Sequence, residues 1–455
     1  YQKEGFDFLA DRTRYAVGAI LADDMGLGKT LQILALLEAY RRNPPAGEDR
    51  ARRKALVVCP ASVLSVWLEQ AEQFCPAMQC GAYRGKPEER RALLERGDLD
   101  VIVVNYALVR QDAPVFLEQQ YGFLVLDEAQ MVKNPDSQVS RAVARIRADR
   151  AVALTGTPIE NRVLDLWSVM NVINPGYLGN RDAFTERFEG PGRRPELARR
   201  LAPVLLRRTK EAVAPELPER TEETLKIELS DEEKALYRRE LQRAREAVRT
   251  QGPIQILAAL TRLRQLCCHP DLLLQDGAFE SSSKLDTLTE MLEEILGEKH
   301  SVLVFSQFTS MLDRIEERIS EHDIPYYKLT GSTPTARRQE IVREFSEKDE
   351  PAVFLLSLRA AGTGLTLTKA DYVFIFDPWW NPAVERQAID RTHRIGQEKP
   401  VFAYKLVAQD TLEEKVIALQ QEKAQLFADV MQDAEAALSP QNLTADELAA
   451  LLTEP

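Results

Sequence analysis

Gly18-Ala19-Ile20-Leu21-Ala22-Asp23-Asp24-Met25-Gly26-Leu27-Gly28-Lys29-Thr30 joins an apolar strand, a glycine-bearing turn and the apolar start of a helix in one run. Gly26 and Gly28 let backbone N–H groups approach phosphate oxygens, Lys29 can neutralise charge between β- and γ-phosphates, and the Thr30 hydroxyl can ligate Mg²⁺. The stretch reads as a cradle for a nucleoside triphosphate. It departs from the generic G-x-x-x-x-G-K-[ST] pattern at the first position, which is Asp23. The pattern alone therefore leaves open a Gly-Lys-Thr that merely starts a helix.

Outward from this turn, short β-rich apolar runs alternate with longer amphipathic stretches: Lys54 to Cys59, Val101 to Val104, Phe123 to Leu126 and Ala151 to Leu154. That alternation predicts a parallel sheet covered by helices over residues 1–171. A second series (Val302 to Phe305, Tyr326 to Leu329, Val353 to Leu356, Tyr372 to Phe376, Phe402 to Val407) predicts another such lobe over 284–410. Between them, 172–283 shows helical spacing, as where Ser230-x-x-Glu233 opens a run through Leu236, Tyr237 and Leu241, and reads as a helical insertion. Residues 411–455 read as a helical tail: Thr411-x-x-Glu414 predicts a long helix to about Val430, and Thr444-x-x-Glu447 a short one. The expected fold class is α/β with two parallel-sheet lobes, a helical insertion and a C-terminal helix.

The chain has 455 residues, of which 44% are hydrophobic and 29% charged, so it is globular rather than disordered, and two or three sizeable cores are expected. No apolar run approaches the roughly 20 residues of a membrane-spanning helix, so no membrane partner is expected. Lys plus Arg total 59 and Asp plus Glu 71, a net charge of −12. Any nucleic-acid contact must therefore be local. Residues 181–210 hold nine basic against four acidic side chains and form the candidate phosphate-tracking surface; a solvated linker is the other reading. The five cysteines lack paired spacing, which excludes a disulfide framework and implies a reducing compartment. Cys267-Cys268-His269 reads as structural rather than metal-binding, because contiguous ligands cannot readily surround one tetrahedral ion. Arg50-x-Arg52-Arg53-Lys54 reads as a solvated loop. Trp379 and Trp380 read as packing residues, with at most one exposed. With Tyr rather than Met at position 1, the chain reads as a piece of a longer protein.

Val125-Leu126-Asp127-Glu128-Ala129-Gln130 is an apolar strand ending in two carboxylates. About 100 residues after a phosphate cradle, Asp127 is the candidate Mg²⁺ holder and Glu128 the group that orients or deprotonates the attacking water. In the second lobe Gln387, Arg391 and Arg394, spaced by four and three, share one face of a helix started by Asn381 as N-cap and Pro382 at its first position. Two guanidinium groups so presented can stabilise a transferring phosphoryl group. An exposed stripe pairing with Glu385 and Asp390 is the alternative.

The sequence closely resembles the Swi/Snf-type branch of superfamily-two helicase-like ATPases, the motors of chromatin remodellers and recombination translocases, over nearly its whole length. The resemblance rests on Tyr1-Gln2-x-x-Gly5, Asp24-Met25-Gly26-Leu27-Gly28-Lys29-Thr30, Asp127-Glu128-Ala129-Gln130, Leu154-Thr155-Gly156-Thr157-Pro158-Ile159-Glu160-Asn161 and Leu206-Arg207-Arg208-Thr209-Lys210. It continues through Val304-Phe305-Ser306-Gln307-Phe308, Ala361-Gly362-Thr363-Gly364-Leu365, Asp377-Pro378-Trp379-Trp380-Asn381-Pro382 and Arg391-Thr392-His393-Arg394-Ile395-Gly396-Gln397. It implies two RecA-like lobes and a brace helix after the second. It further implies ATP and Mg²⁺ as ligands, with Gln2 at the adenine, Asp24 to Thr30 and Gln387 lining the nucleotide, Lys29, Asp127 and Glu128 in catalysis, and Arg391 and Arg394 acting across the cleft on the γ-phosphate. Thr30 and Asp127 would hold the metal.

By the same resemblance, duplex DNA would run past Ser62, Asn105, Ser306, Gln307 and Thr363, with Arg207, Arg208 and Lys210 near the lobe junction. Small hydroxyl and amide groups suit contacts made and released without reading sequence. Gln130 stands where many relatives carry His, and its amide can still bridge by hydrogen bonds. The implied function is an ATP-dependent translocase on double-stranded DNA that remodels DNA-protein complexes, acting on an unidentified DNA-bound protein client. A strand-separating or RNA-dependent motor and a catalytically inactive DNA-binding scaffold are the rivals. A cytoplasmic, nucleoid-associated setting is expected in a bacterium and a nuclear one in a eukaryote.

Overall fold

The computed structural model describes residues 1–44, 54–157, 162–188, 193–250, 253–274, 277–358 and 365–421. Two compact units divide between Pro215 and Glu216. In the first, β1 (Ala19–Leu21), β2 (Ala55–Cys59), β3 (Cys80–Tyr83), β4 (Val101–Asn105), β5 (Gln120–Asp127), β6 (Arg147–Leu154) and β7 (Leu205–Leu206) form one sheet in the order β3-β4-β2-β5-β6-β1-β7. Every neighbouring pair is parallel. The central strands are buried on both faces, which is why they read as continuous apolar runs rather than alternating ones. Leu56, Val58 and Ile20 point into one core, while Val57, Cys59, Ala19 and Leu21 point into the other with Trp67.

The strand register sets the geometry of the sheet edge. Asp127 lies beside Leu154, Leu154 beside Leu21, and Leu21 beside Leu206. Four strand ends therefore stand abreast at one edge, and the residues that leave them are neighbours however far apart in sequence. This carboxyl edge is where open parallel sheets present their ligands.

The second unit contains β8 (Arg220–Ile227), β9 (Val302–Ser306), β10 (Tyr326–Leu329), β11 (Val353–Ser357), β12 (Tyr372–Ile375) and β13 (Val401–Ala408), ordered β10-β11-β9-β12-β13-β8 and again parallel throughout. Its two faces carry separate cores, one around Phe305, Phe345 and Phe354 and one around Leu288, Ile315 and Phe374.

The segment 172–283 is not wholly helical, contrary to the expectation from its spacing. Helices at Arg181–Phe188, Arg194–Leu201, Asp231–Thr250 and Pro253–Cys268 are present, but β7 and β8 lie among them and belong to different sheets. β8 carries no apolar signal because Arg220-Thr221-Glu222-Glu223-Thr224-Leu225-Lys226-Ile227 is charged and mostly exposed. It pairs on one side with β13, from Arg220 opposite Val401 to Ile227 opposite Ala408, and charge is how edge strands avoid further pairing. After β13, residues 412–421 are helical. Thr411 Oγ1 accepts from Glu413 N at 3.2 Å, while Glu414 pairs with Lys226 at 2.9 Å. The rest of that helix, the helix expected at Thr444, and Arg50 to Arg53 lie outside the described residues. Among the described residues no helix is long and apolar enough to cross a membrane.

Candidate nucleotide site

The glycine-bearing turn leaves β1 at the shared edge and enters α2 (Lys29–Arg42). Gly26 and Gly28 adopt φ of +93° and +76°, a conformation glycine enters without the penalty a Cβ brings. A Cβ on Gly28 would also stand 2.5 Å from Gln2 Nε2. Gln2, in the first turn of α1 (Gln2–Arg14), lies over the turn and donates to Leu27 O at 3.4 Å. Lys29 Nζ sits inside its own loop, donating to the carbonyls of Asp23 at 2.6 Å and Asp24 at 3.2 Å. Met25 and Thr30 are half-buried and Leu27 is buried. The sequence-read cradle residues are thus gathered in one place.

Asp23, the position that breaks the generic pattern, is fully buried and paired with Arg208 through Nε to Oδ1 at 3.0 Å and Nη2 to Oδ2 at 2.6 Å. Arg208 Nη2 also donates to Gln32 Oε1 at 3.0 Å, Nη1 donates to Tyr1 O, and the guanidinium lies over the Tyr1 ring. Gln32 Nε2 reaches Asp23 Oδ2, Leu27 O and Gly28 O. β7 runs beside β1, so Arg208 arrives where Asp23 leaves its strand. Two residues on, Lys210 N donates to Asp24 Oδ2 at 3.1 Å.

At the tip of β5, Asp127 Oδ2 accepts from Trp67 Nε1 at 2.8 Å and Oδ1 from Glu128 N at 3.0 Å. Burial first, and the neighbouring Glu128 next, push the Asp127 carboxyl up to about 6; the Trp67 N–H and Lys29 act the other way. Glu128 has φ of +49°, a left-handed backbone that is strained for a residue with a Cβ, by about 1–3 kcal/mol. Its Oε2 accepts from Gln130 Nε2 at 2.7 Å, Gln130 Oε1 accepts from Thr155 Oγ1 at 2.8 Å, and Thr157 N donates to Thr155 Oγ1 at 3.0 Å. Gln130 therefore bridges the ends of β5 and β6 with both atoms of its amide. Pro158 to Asn161 lie outside the described residues.

In the second unit Asn381 Oδ1 caps its helix by accepting from Ala383 N at 3.0 Å. That helix, Pro382–Ile389, carries Gln387 but ends before Arg391 and Arg394. The three residues therefore do not share one helix face: Thr392 Oγ1 takes the Ile389 carbonyl at 2.8 Å and the chain turns. The guanidinium groups converge nonetheless, Arg391 Nη1 and Arg394 Nη1 both donating to Leu365 O, at 3.4 and 3.3 Å. Arg391 is buried rather than part of an exposed stripe, Glu385 pairs with Lys405 and Asp390 pairs with Arg220.

Several residues read as nucleic-acid contacts are engaged elsewhere. Arg208 is held by Asp23, and Lys210 is 3% exposed. Ser306 is fully buried, its hydroxyl on Asp377. Asn105 Oδ1 caps the next helix through Leu108 N, and Gln307 Oε1 accepts from Arg264 Nη1 at 2.8 Å. Ser62 and Arg207 are half-buried, and Thr363 lies outside the described residues. Positive charge in sequence does not distinguish a surface cation from one demanded by a buried carboxylate. Arg264 itself, donating also to Pro378 O and lying over Phe308, Trp379 and Trp380, carries no sequence signal that would single it out. Both tryptophans face it, half-buried. Cys267, Cys268 and His269 are core residues.

Among the described residues no group of three or more His, Cys, Asp or Glu side chains is placed to hold an ion unaided. The donors at the sheet edge are the Asp127 carboxylate, each oxygen accepting one N–H with a lone pair to spare, and the Thr30 hydroxyl. Two hard oxygens suit Mg²⁺, whose remaining ligands would be phosphate and water.

Comparison with known proteins places a match to the SNF2-related domain on residues 1–272 and to the helicase conserved C-terminal domain on 283–396. The chain is 35% identical over 94% of its length to an uncharacterized ATP-dependent helicase of Mycoplasma pneumoniae, covering 42% of that protein. It is 32% identical over 95% of its length to the TATA-binding protein-associated factor MOT1 of Saccharomyces cerevisiae, covering 27%. The chain thus spans less than half the length of either. A solved SWI2/SNF2 ATPase core of Sulfolobus solfataricus in complex with dsDNA is 34% identical, covering 98% of this chain and 95% of that one, with a TM-score of 0.47.

Proposed function

The chain belongs to the SNF2-related family, and from that premise we propose that it is an ATP-hydrolysing motor that translocates along double-stranded DNA and remodels DNA-protein complexes. The observation that carries the reading is the sheet edge itself, where the Lys29 turn, the Asp127–Glu128 pair and the Gln130–Thr155 bridge stand on adjoining strands. Names borne by relatives support it: one is an ATP-dependent helicase and one a TATA-binding protein-associated factor.

In this mechanism Gln2 contacts the adenine and Lys29 exchanges the carbonyls of Asp23 and Asp24 for phosphate oxygens. Asp127 and Thr30 would hold Mg²⁺, which would supply neutralisation of phosphate charge. Glu128, its second oxygen tied by Gln130, orients the water that attacks the γ-phosphorus and receives its proton, while the bond to the bridging oxygen breaks and that oxygen leaves with ADP. Arg391 and Arg394, already converging on one carbonyl, stabilise the charge spread over the transferring phosphoryl group. Alternating grip on the duplex, driven by ATP binding and hydrolysis, gives directional stepping. In a bacterium the setting is the cytoplasm, at the nucleoid, and in a eukaryote the nucleus.

The test is ATP hydrolysis without nucleic acid and with duplex DNA, single-stranded DNA or RNA, alongside Glu128→Gln. Strong stimulation by duplex that vanishes in Glu128→Gln is expected. Equal rates in all four conditions would sink the translocase reading, and unwinding of a tailed duplex would replace it with a helicase.

A further inference from the structure

Trp67 and Asp127 are 60 residues apart, and a buried hydrogen bond at the sheet edge joins them. Trp67 lies on α3 (Leu64–Phe74), is 1% exposed, and packs in the core that also holds Val125 and Leu154. Packing alone would be satisfied by any large apolar ring. What is particular is the choice of acceptor. A buried indole N–H needs a partner, and a backbone carbonyl serves; Trp167 Nε1 donates to Gly179 O at 3.0 Å. Trp67 Nε1 instead takes a side-chain carboxylate oxygen at 2.8 Å. On the other face of the sheet, Tyr106 Oη donates to the Asp127 carbonyl, also at 2.8 Å. The tip of β5 is thus fixed from one core at its carboxylate and from the other at its main chain.

We propose that Trp67 is a positioning residue, which holds the Asp127 carboxylate in the orientation that binds the divalent cation accompanying the nucleotide. The proposal rests on the reading of Asp127 as metal holder. Trp67 and Glu128 N each occupy one oxygen, so rotation about the Cβ–Cγ bond would break two hydrogen bonds in a buried setting, and the remaining lone pairs keep fixed directions. Partners that orient a metal ligand from behind influence affinity strongly, about 10- to 100-fold when removed. Phenylalanine at 67 retains a ring in the core but leaves Oδ2 without that donor.

The experiment measures Mn²⁺ affinity of the ADP-loaded chain by electron paramagnetic resonance, with metal-free ADP affinity measured beside it. Trp67→Phe is expected to weaken Mn²⁺ binding at least about 10-fold while metal-free ADP affinity stays within about two-fold. Incorporation of β-(3-benzothienyl)alanine at 67, which keeps the bicyclic shape and replaces N–H by sulfur, is expected to do the same without disturbing the core. Unchanged Mn²⁺ affinity in the benzothienyl protein overturns the proposal, even if Trp67→Phe fails to fold. Asp127→Asn separates the two readings: if it too leaves Mn²⁺ affinity unchanged, Asp127 is not the metal holder. If it weakens binding while the benzothienyl protein does not, the positioning role alone is lost.

Discussion

Arg208 grips Asp23 through two nitrogens, at 3.0 and 2.6 Å, with both side chains buried beneath the phosphate turn. The pair explains how aspartate can stand where the generic turn has glycine: it anchors the turn to the strand leaving toward Pro215. Removing one partner strands a buried charge, so Arg208→Ala is expected to destabilise the first unit by about 3–5 kcal/mol in urea unfolding. Arg208→Lys keeps the charge but loses the fork, and should recover a part of this. If Arg208 instead tracked phosphate, Arg208→Lys would leave stability unchanged. The salt dependence of duplex binding by this variant is expected to match that of the unaltered chain.

Gly5 sits under the same network. A Cβ there would stand 1.8 Å from Gln32 Oε1 and 2.6 Å from Arg208 Nη2. Alanine gains about 1 kcal/mol of helix propensity, but no real contact is that short, so either Gln32 and Arg208 swing aside and give up their bonds to each other and to Asp23 beneath the turn, or the first turn of α1 lifts and takes Gln2 with it. Gly5→Ala is expected to raise the Kd for ATP at least about 10-fold in equilibrium binding. Adding Gln32→Ser, which removes the nearest atom, should restore part of the affinity.

The Gln130 bridge gives a kinetic prediction. Gln130→Met keeps length and loses both bonds, freeing Glu128 Oε2 and Thr155 Oγ1. Each neutral bond is worth about 1 kcal/mol, and one to a carboxylate about 2. Gln130 holds Glu128, proposed above to orient the attacking water, so on that proposal the loss should fall on kcat, about 10-fold, with KM for ATP within about two-fold. A change confined to KM would remove Gln130 from the relay.

How far the sequence can be read depends on where each signal is local. The cradle, the Asp127–Glu128 strand end and most of the buried strands announce themselves within a few residues, because apolar runs and turn glycines act at short range. β8 does not, since an edge strand paired on one side needs no apolar face. The end of the helix at Ile389 depends on the Thr392 hydroxyl taking a carbonyl, which the spacing of Gln387, Arg391 and Arg394 cannot show. The Arg208–Asp23 and Trp67–Asp127 pairs depend on register between distant strands. One hint is present: an aspartate buried at the end of an apolar strand requires a cation or hydrogen-bond donors somewhere, although nothing in the sequence says which.

Asp377, at the tip of β12, gives a pH prediction. It is fully buried and accepts from Ser306 Oγ and, more weakly, from Gln307 N. Burial pushes its carboxyl up to about 6 from the usual 3.8, against the hydrogen bond from Ser306 and the charges of Arg264 and Lys284. Between those values the folded state holds more proton than the unfolded one. Stability from this group is therefore present below about pH 4 and lost as pH rises through about 6, amounting to roughly 3 kcal/mol at most. In Asp377→Asn, which keeps an acceptor and cannot ionise, this decline should disappear from urea unfolding of the second unit across about pH 4–7. An unaltered slope would assign the pH dependence to other groups.

Lys284 and Glu413 form an ion pair at 2.9 Å with both side chains fully buried. Lys284 opens the helix Ser283–Gly297 and lies over the Phe376 ring; Glu413 is in the first turn of the helical stretch 412–421 and also accepts from Ala408 N at 2.8 Å. Attraction between such charges is offset by the loss of hydration, so the pair as a whole adds little, whereas either partner alone is costly. Lys284→Met is accordingly expected to destabilise the second unit by about 3–5 kcal/mol. Combining it with Glu413→Gln removes the stranded charge and keeps an acceptor for Ala408 N, so the double variant should recover most of the loss. Hydrogen exchange locates the effect: amides of 412–421 should exchange faster in Lys284→Met than in the double variant. Equal exchange in both would mean that this stretch is held by its other contacts, such as Tyr237 Oη accepting from Leu412 N at 2.7 Å, and not by the pair.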